Sequence, residues 1–180
     1  SEGNIAGDFL SATPGFGGGV YVSGSGSAVV ARNATIDNNT ATTSGGGIHI
    51  ASSGFARTDT GSTVSFNRAT LAGSQGGGVY NEGRFRAIDS AFEGNAAQLA
   101  GGGLYNSSTG VAVVNTSNFL ANNGGTQGGG IFNDNYASLN DSFVTMNLVS
   151  DTGGGIFTSV GENTILNNTS NTGNLPNNTN

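Results

Sequence analysis

The sequence contains no cysteine and no lysine, and it has one histidine and five arginines among its 180 residues. The absence of cysteine excludes disulfide bonds and thiolate metal sites, and one histidine is too few for an ordinary transition-metal centre. The net charge is -6, so we expect no nucleic-acid partner, because phosphate binding needs a basic face. No run approaches the roughly 20 apolar residues of a membrane span, so we expect no membrane insertion of this segment.

Glycine, in contrast, is abundant, at 33 of 180 residues, while only 9% of the residues are charged. Disordered chains usually combine high net charge with irregularly placed apolar residues. Here the charge is low and the apolar positions are periodic. The composition therefore favours a folded repeat protein.

A triple glycine followed by an aliphatic residue and then an aromatic residue or histidine occurs six times. The triplets begin at positions 17, 45, 76, 101, 128 and 153, so successive motifs are 28, 31, 25, 27 and 25 residues apart. The aliphatic position is always Val, Ile or Leu. We interpret each motif as the sharp corner and first strand of one coil, because glycine allows positive φ and close approach of neighbouring chains.

A second motif, an apolar residue followed three positions later by asparagine, also occurs six times in phase with the glycines. Stacked asparagines can hydrogen-bond from one coil to the next, and asparagine tolerates the left-handed conformation at a turn. We therefore predict a structural asparagine ladder. Its predicted members are Asn39, Asn67, Asn95, Asn122, Asn147 and Asn168.

Between the two motifs, small or apolar residues alternate with polar ones, which is typical of short strands. One such unit cannot bury its apolar column alone, whereas stacked units can. The predicted fold is all-β, a right-handed single-stranded parallel β-helix of about six coils of 25–31 residues each. Residues 1–16 are expected to form a partial N-terminal coil, residues 17–168 the β-helix repeats, and residues 169–180 an Asn/Thr-rich tail or linker.

The residues after the aliphatic positions form a candidate binding stripe. Side chains alternate along a strand, so an inward aliphatic residue places its neighbour outward. Stacked aromatic rings could dock sugar rings or a partner protein, or they could be covered by the loops that precede the glycines. The stripe consists of Tyr21, His49, Tyr80, Tyr105, Phe132 and Phe157.

The charged residues give weaker signals. Alignment of the coils places Asp141 beside Glu162 on adjacent coils, and it groups Arg57, Arg84 and Arg86 in a small patch that we interpret as surface salt bridging. Arg57 and Asp59 interrupt the apolar pattern of the second coil, where we expect a local shift of register. The sequence predicts no catalytic residue, no metal ligand and no cofactor.

A row of threonines is a possible ice-binding surface, since regular threonine rows on a β-helix would present repeated hydroxyl groups. The predicted column lacks threonine at its centre, which weighs against that function. It consists of Thr35, Thr63, Ala91, Asn118, Phe143 and Thr164.

The two motifs resemble the repeats of polymorphic outer-membrane proteins and related autotransporter passengers, which carry GGA[ILV] and FxxN. The second motif is literal at Phe92–Asn95 and Phe119–Asn122, whereas the first has glycine in place of alanine throughout. The resemblance covers roughly residues 15–170. It implies a right-handed β-helix on a bacterial cell surface, most often in adhesion.

We therefore expect a non-enzymatic extracellular structural or adhesive module, with a host-cell protein or a surface glycan as its partner. A carbohydrate-binding or polysaccharide-cleaving β-helix is the alternative, and ice binding is the third. The sequence shows no capping helix, which leaves two explanations open. Either the chain belongs to a longer β-helix, or it associates with itself, end to end or laterally, because uncapped strand edges template further pairing.

Overall fold

A computed structural model describes residues 4–6, 14–25 and 28–177. These residues form strands and turns, and no helix long and apolar enough to cross a membrane is found among them. Strands stack in parallel into three six-stranded sheets and one three-stranded sheet. In chain order, the strands of sheet 1 are β2 (Val20–Val22), β6 (Ile48–Ile50), β10 (Val79–Asn81), β13 (Leu104–Asn106), β16 (Ile131–Asn133) and β19 (Ile156–Thr158).

Each coil continues from sheet 1 into sheets 2 and 3. Sheet 2 contains β3 (Ala28–Arg32), β7 (Phe55–Asp59), β11 (Arg84–Ile88), β14 (Val111–Asn115), β17 (Tyr136–Asn140) and β20 (Asn163–Asn167). Sheet 3 contains β4 (Thr35–Asp37), β8 (Ser62–Ser65), β12 (Ser90–Glu93), β15 (Asn118–Leu120), β18 (Phe143–Thr145) and β21 (Ser170–Thr172). The small sheet contains β1 (Ile5–Ala6), β5 (Thr40–Ala41) and β9 (Arg68–Ala69). The predicted parallel β-helix is confirmed, with about five turns from the first strand of each sheet to the sixth.

The core is a column of aliphatic and phenylalanine side chains enclosed by the three sheets. In sheet 1, Val79, Leu104 and Ile131 have no exposed surface, and each pairs in register with the next. In sheet 3, Phe92 and Phe119 stack with ring centroids 4.5 Å apart and planes 9° from parallel. Like residues stack on like because parallel strands in register place equivalent side chains about 4.8 Å apart.

The triple glycines form the corner that leads into sheet 1. The first glycine of every motif has a φ between 59° and 67°, which disfavours other residues. The second lies against the neighbouring coil: a Cβ on Gly77 would meet three backbone atoms of Ala96 at 2.5 Å. The third also lacks room, since a Cβ on Gly103 would lie 2.6 Å from the carbonyl oxygen of Gly130. This close approach favours glycine at all three positions of the motif.

The second coil contains one extra residue at the corner between sheets 2 and 3. Thr58, not Asp59, pairs with Ala87 of the next coil, and Thr60 and Gly61 then adopt φ values of 42° and 70°. The expected register shift is therefore a longer turn rather than a bulge within the strand. Asp59 is buried there, only 6% exposed.

The C-terminal boundary that we expected is wrong, because the described part of residues 169–180 continues the coil. Strand β21 pairs with β18, and Leu175 bridges to Leu148. At the other end, β1 pairs with β5 as part of a preceding coil. Residues 1–3 and 7–13 of the expected partial coil lie outside the described residues.

Candidate functional site

The asparagine ladder runs along the corner between sheet 3 and the glycine motif. Each side-chain oxygen accepts two hydrogen bonds from the asparagine of the preceding coil, one from its backbone N–H and one from its amide. Asn67 donates to Asn95 in this way at 3.0 and 3.1 Å, and Asn95 donates to Asn122 at 3.0 Å twice. The amide of Asn95 also donates to the carbonyl of Val64 at 2.9 Å. These amides are therefore used in holding the coils together.

The prediction that Asn168 is the last member of the ladder is wrong. Asn168 is exposed, has a φ of 45°, and donates to the carboxylate of Asp141 at 2.6 Å. Its place is taken by Asn174, which accepts from the backbone and the amide of Asn147 at 2.8 and 2.9 Å. The spacing could have revealed this, since 147 to 174 lies within the repeat length and 147 to 168 does not. The apolar residue of the motif misled the prediction: Ile165 belongs to sheet 2, and the equivalent sheet 3 position is Asn171.

A second asparagine ladder lies inside sheet 1 and was not predicted. Asn81 donates to Asn106 at 2.7 Å, and Asn106 donates to Asn133 at 2.8 Å. All three are completely buried, and the ladder ends where Asn133 donates to the hydroxyl of Thr164 at 3.0 Å. The signal for it is the residue after the aromatic position of each glycine motif, which is asparagine in three successive coils.

The six residues of the binding stripe form one stacked column, but most of its length is covered. Successive ring centroids from Tyr21 to Phe157 are 5.0, 4.9, 5.3, 4.6 and 5.0 Å apart. His49 is only 4% exposed, and Tyr105 and Phe132 are 8% exposed each. Tyr21, at 51%, is the exposed end of the column. A continuous exposed docking stripe is therefore not what the fold presents; the column mainly binds coil to coil.

His49 replaces tyrosine in this column and lies between the rings of Tyr21 and Tyr80. Its Nδ1 lies 3.0 Å from the hydroxyl of Ser44, which is itself buried. Burial lowers the pKa of His49 to about 4, a change opposed by hydrogen bonding to Ser44. Glu82 lines the same cleft but accepts from Tyr80 at 3.2 Å. Both partners of this serine–histidine pair are buried, and among the described residues no carboxylate forms an ion pair with the ring, which supports a packing role.

The pKa values of two tyrosines in the column, Tyr80 and Tyr105, are also shifted. Burial raises the pKa of Tyr80, and the charge of Glu82 raises it further. Burial likewise raises the pKa of Tyr105, with a contribution from the charge of Asp134, although a hydrogen bond with Gln75 opposes the change. Both hydroxyls therefore stay protonated at neutral pH and act as hydrogen-bonding groups rather than as proton carriers.

The predicted acidic pair does not form. Asp141 lies at the corner after sheet 2, where its backbone N–H donates to Asn167, while Glu162 precedes strand β20. The threonine row also differs from the prediction, because Ser170 and not Thr164 pairs with Phe143. Phe143 is 55% exposed and interrupts that row. Within the described ranges, no three His, Cys, Asp or Glu side chains gather where they could hold a metal ion.

The arginine patch is larger than predicted. Arg57 and Arg86 are paired across adjacent strands, as expected, and Arg84 lies beside Phe55. Arg32 joins them through Asp59, which accepts from Arg57 at 2.7 Å and lies 3.4 Å from Arg32. The sequence signal was the presence of arginine in each of three successive sheet 2 strands, β3, β7 and β11.

Comparison with known proteins finds no matching family model, no matching curated protein and no matching solved structure. The class that the geometry itself defines is a parallel β-solenoid of stacked coils with asparagine ladders.

Proposed function

We propose that this chain is a non-enzymatic extracellular structural or adhesive module of a bacterial surface protein. The observation that carries the proposal is the use of buried polar side chains for coil-to-coil bonding. Two asparagine ladders and the aromatic column extend along the stack and join each coil to the next, which supports a rigid structural role. Such a stack presents a stiff, elongated surface, which suits a scaffold or an adhesin.

The resemblance to polymorphic outer-membrane and autotransporter-passenger repeats supports the extracellular placement. It is based on the GGG[VIL] motif, whose residues occupy the sheet 1 corner, and on the [FIV]xxN motif, whose asparagine occupies the ladder corner in all six coils except the last. Fold alone does not imply activity, so the placement needs its own test. Antibodies against the chain should label intact cells of the source bacterium, and labelling only after lysis would contradict the placement.

An array of glycans and extracellular proteins, read in parallel with a reducing-sugar assay, tests the adhesive role. We expect binding without release of oligosaccharide. Release of new reducing ends, dependent on the purified chain, would contradict the non-enzymatic proposal. A boiled sample serves as the control, since it retains the composition of the chain but not its surfaces.

A carbohydrate-binding module is the second candidate, and a specific observation favours it. Four of the five arginines lie in sheet 2, and Phe55 and Val111 pair in register on either side of Arg84. Guanidinium groups beside apolar surface are suited to acidic sugars, because they pair with carboxylates in bidentate geometry.

Self-association is a further part of the proposal. Among the described strands, β19, β20 and β21 each have a sheet neighbour on one side only. Leu166 and Leu175 in the same coil are 39% and 61% exposed. Analytical ultracentrifugation over a concentration series should show growth of the particle, and the double variant Leu166→Lys/Leu175→Lys should suppress it. A monomer at every concentration would contradict end-to-end association.

A further inference from the structure

Positive charge is concentrated on the outer face of sheet 2. Strands β3, β7 and β11 carry Arg32, Arg57, Arg84 and Arg86 against a single acid, Asp59. These three strands therefore have a net charge of +3, whereas the whole chain carries -6. The fifth arginine, Arg68, lies in β9, outside this sheet.

The charge of this face is only partly neutralised. Asp59 is shared by Arg57 and Arg32, at 2.7 and 3.4 Å. Among the described residues, Arg84 and Arg86 form no ion pair, and both are exposed. Arg86 lies directly beside Arg57 on the adjacent strand. Like charges in directly paired positions repel each other, and an anion bound between them would relieve that repulsion.

Apolar surface adjoins the exposed arginines. A cleft of about 290 Å³ is lined by Phe55, Arg84, Phe85, Arg86, Val111 and Val113. The guanidinium carbon of Arg84 lies 5.8 Å from the centre of the Phe55 ring. One column continues from Arg84 through Val111 to Tyr136, and Val111 and Tyr136 are each 36% exposed. The face therefore combines charge-assisted donors with flat apolar contacts.

We propose that this face binds an acidic polysaccharide, with uronate carboxylates on Arg84 and Arg86 and sugar rings on Phe55, Val111 and Tyr136. The inference depends on the proposed adhesive function and names its ligand class. Carboxylate and guanidinium groups form paired, charge-assisted hydrogen bonds, and aromatic rings are large apolar surfaces for the sugar.

The surface suits a saccharide better than an acidic peptide. A peptide in extended form gains affinity by adding a strand to an open sheet edge. The binding surface here is the face of a sheet, and β11 is already paired on both sides, with β7 and β14. A polysaccharide needs only the guanidinium donors and the apolar contacts that this face offers.

The test is titration of the full chain with sodium polygalacturonate by isothermal calorimetry at low ionic strength. Amylose serves as the neutral polymer and poly-L-glutamate as the acidic peptide. We expect binding to polygalacturonate that weakens with added salt, and weaker or no binding to the other two. Equal binding of amylose, or tighter binding of poly-L-glutamate, would overturn the assignment of an acidic polysaccharide.

Three variants locate the site. Arg84→Ala/Arg86→Ala should weaken polygalacturonate binding at least about tenfold, because both charge-assisted contacts are lost. Arg84→Lys/Arg86→Lys should fall between this variant and the original chain, since it retains the charge but loses the bidentate geometry. Arg68→Ala is the matched control and should leave the affinity unchanged within about twofold. Thermal melts by circular dichroism check that each variant is folded.

The outcomes separate this inference from the broader proposal. Unchanged affinity in the folded Arg84→Ala/Arg86→Ala variant would overturn the site while leaving an adhesive function intact. No binding of polygalacturonate by the unaltered chain would overturn the ligand class, again without touching adhesion to another surface. Cleavage of polygalacturonate would overturn the non-enzymatic function itself.

Discussion

The corner asparagines and the third residues of the sheet 1 strands form two columns along the same stack of coils. The two columns differ in how much the residue type varies from coil to coil. At the corner, asparagine recurs from Asn39 to Asn174. At the third position of sheet 1 the residue is Val22 and Ile50 in the first two coils, then asparagine in three, and then Thr158. Both columns are buried over the middle of the stack.

The difference reflects what each side chain does for the backbone. At the corner, the asparagine oxygen satisfies the backbone N–H of the preceding coil, as Asn95 does for Asn67. An apolar residue there would leave a buried donor without its partner, which costs about 1–3 kcal/mol for each group. In sheet 1, Asn81 and Asn133 accept from backbone N–H groups of their own coil, those of Gly83 and Asn135, and not from the backbone of a neighbouring coil. Ile50 can therefore occupy the same column in register with Asn81 without breaking the backbone pairing between coils.

The largest effect is expected from Asn95→Leu. The substitution removes the amide donor to the oxygen of Asn122, the acceptor for the backbone N–H and the amide of Asn67, and the donor to the carbonyl of Val64, while the backbone N–H of residue 95 can still donate to Asn122. We expect the free energy of unfolding to fall by about 3–5 kcal/mol, measured by denaturant titration. Asn118→Leu, at an exposed position of the next coil, should stay within about 0.5 kcal/mol. Equal effects in the two variants would contradict the special role of the corner.

Gly77→Ala tests the close approach at the corner without touching the ladder. The new methyl group would overlap backbone atoms of Ala96, which cannot rotate away as a side chain can. We expect a loss of about 3 kcal/mol. Gly73→Ala is the matched control: its φ is 83° but nothing lies within 4 Å, so only the left-handed strain of about 1 kcal/mol is expected. A smaller loss for Gly77 than for Gly73 would argue against tight packing of the coils.

The aromatic column can be probed through pH, because His49 is its one titratable imidazole. Its folded pKa is about 4, below the unfolded value of about 6.5. The unfolded chain therefore binds a proton between these values that the folded chain does not, so stability falls as the pH falls through this window. The loss from this group reaches at most about 3 kcal/mol near pH 4.

His49→Tyr is the control for that experiment, since tyrosine occupies the same column in the neighbouring coils. Thermal melts at pH 7, 6 and 5 should show a smaller decline for the variant than for the original chain. Parallel declines would mean that other groups account for the acid sensitivity.

The smallest effect is expected in the sheet 1 ladder. In Asn106→Leu, Asn81 still donates to the carbonyl of Val111, and Asn133 still accepts from the N–H of Asn135. We expect a loss of about 1–2 kcal/mol. The triple variant Asn81→Ile/Asn106→Leu/Asn133→Ile should lose less than the sum of its three single variants, because it recreates the apolar column of the first two coils. An additive or larger loss would show that this ladder is as necessary as the corner.

Sequence periodicity was sufficient to predict the coil, most of the corner ladder and the stacking of the aromatic column. It failed where a motif matched by residue type but not by spacing, as with Ile165 and Asn168. It also missed the ladder of Asn81, Asn106 and Asn133, because this column has asparagine in only three of the six coils and therefore does not repeat along the whole chain. The burial of His49 and Tyr105 could not be predicted either, because it depends on loops whose path the repeat pattern does not specify.

The amino-acid order alone therefore determined the repeat: glycine corners that need positive φ, short strands with alternating residue types, and the corner-ladder asparagine of every coil but the last. Register in three dimensions added the rest, because stacking brings together residues that are 25 to 31 positions apart. It placed Arg57 beside Arg86, tied Arg32 to them through Asp59, and left Arg84 and Arg86 exposed next to Phe55. Along the chain the five arginines are scattered, and the short distance between coils makes four of them one surface.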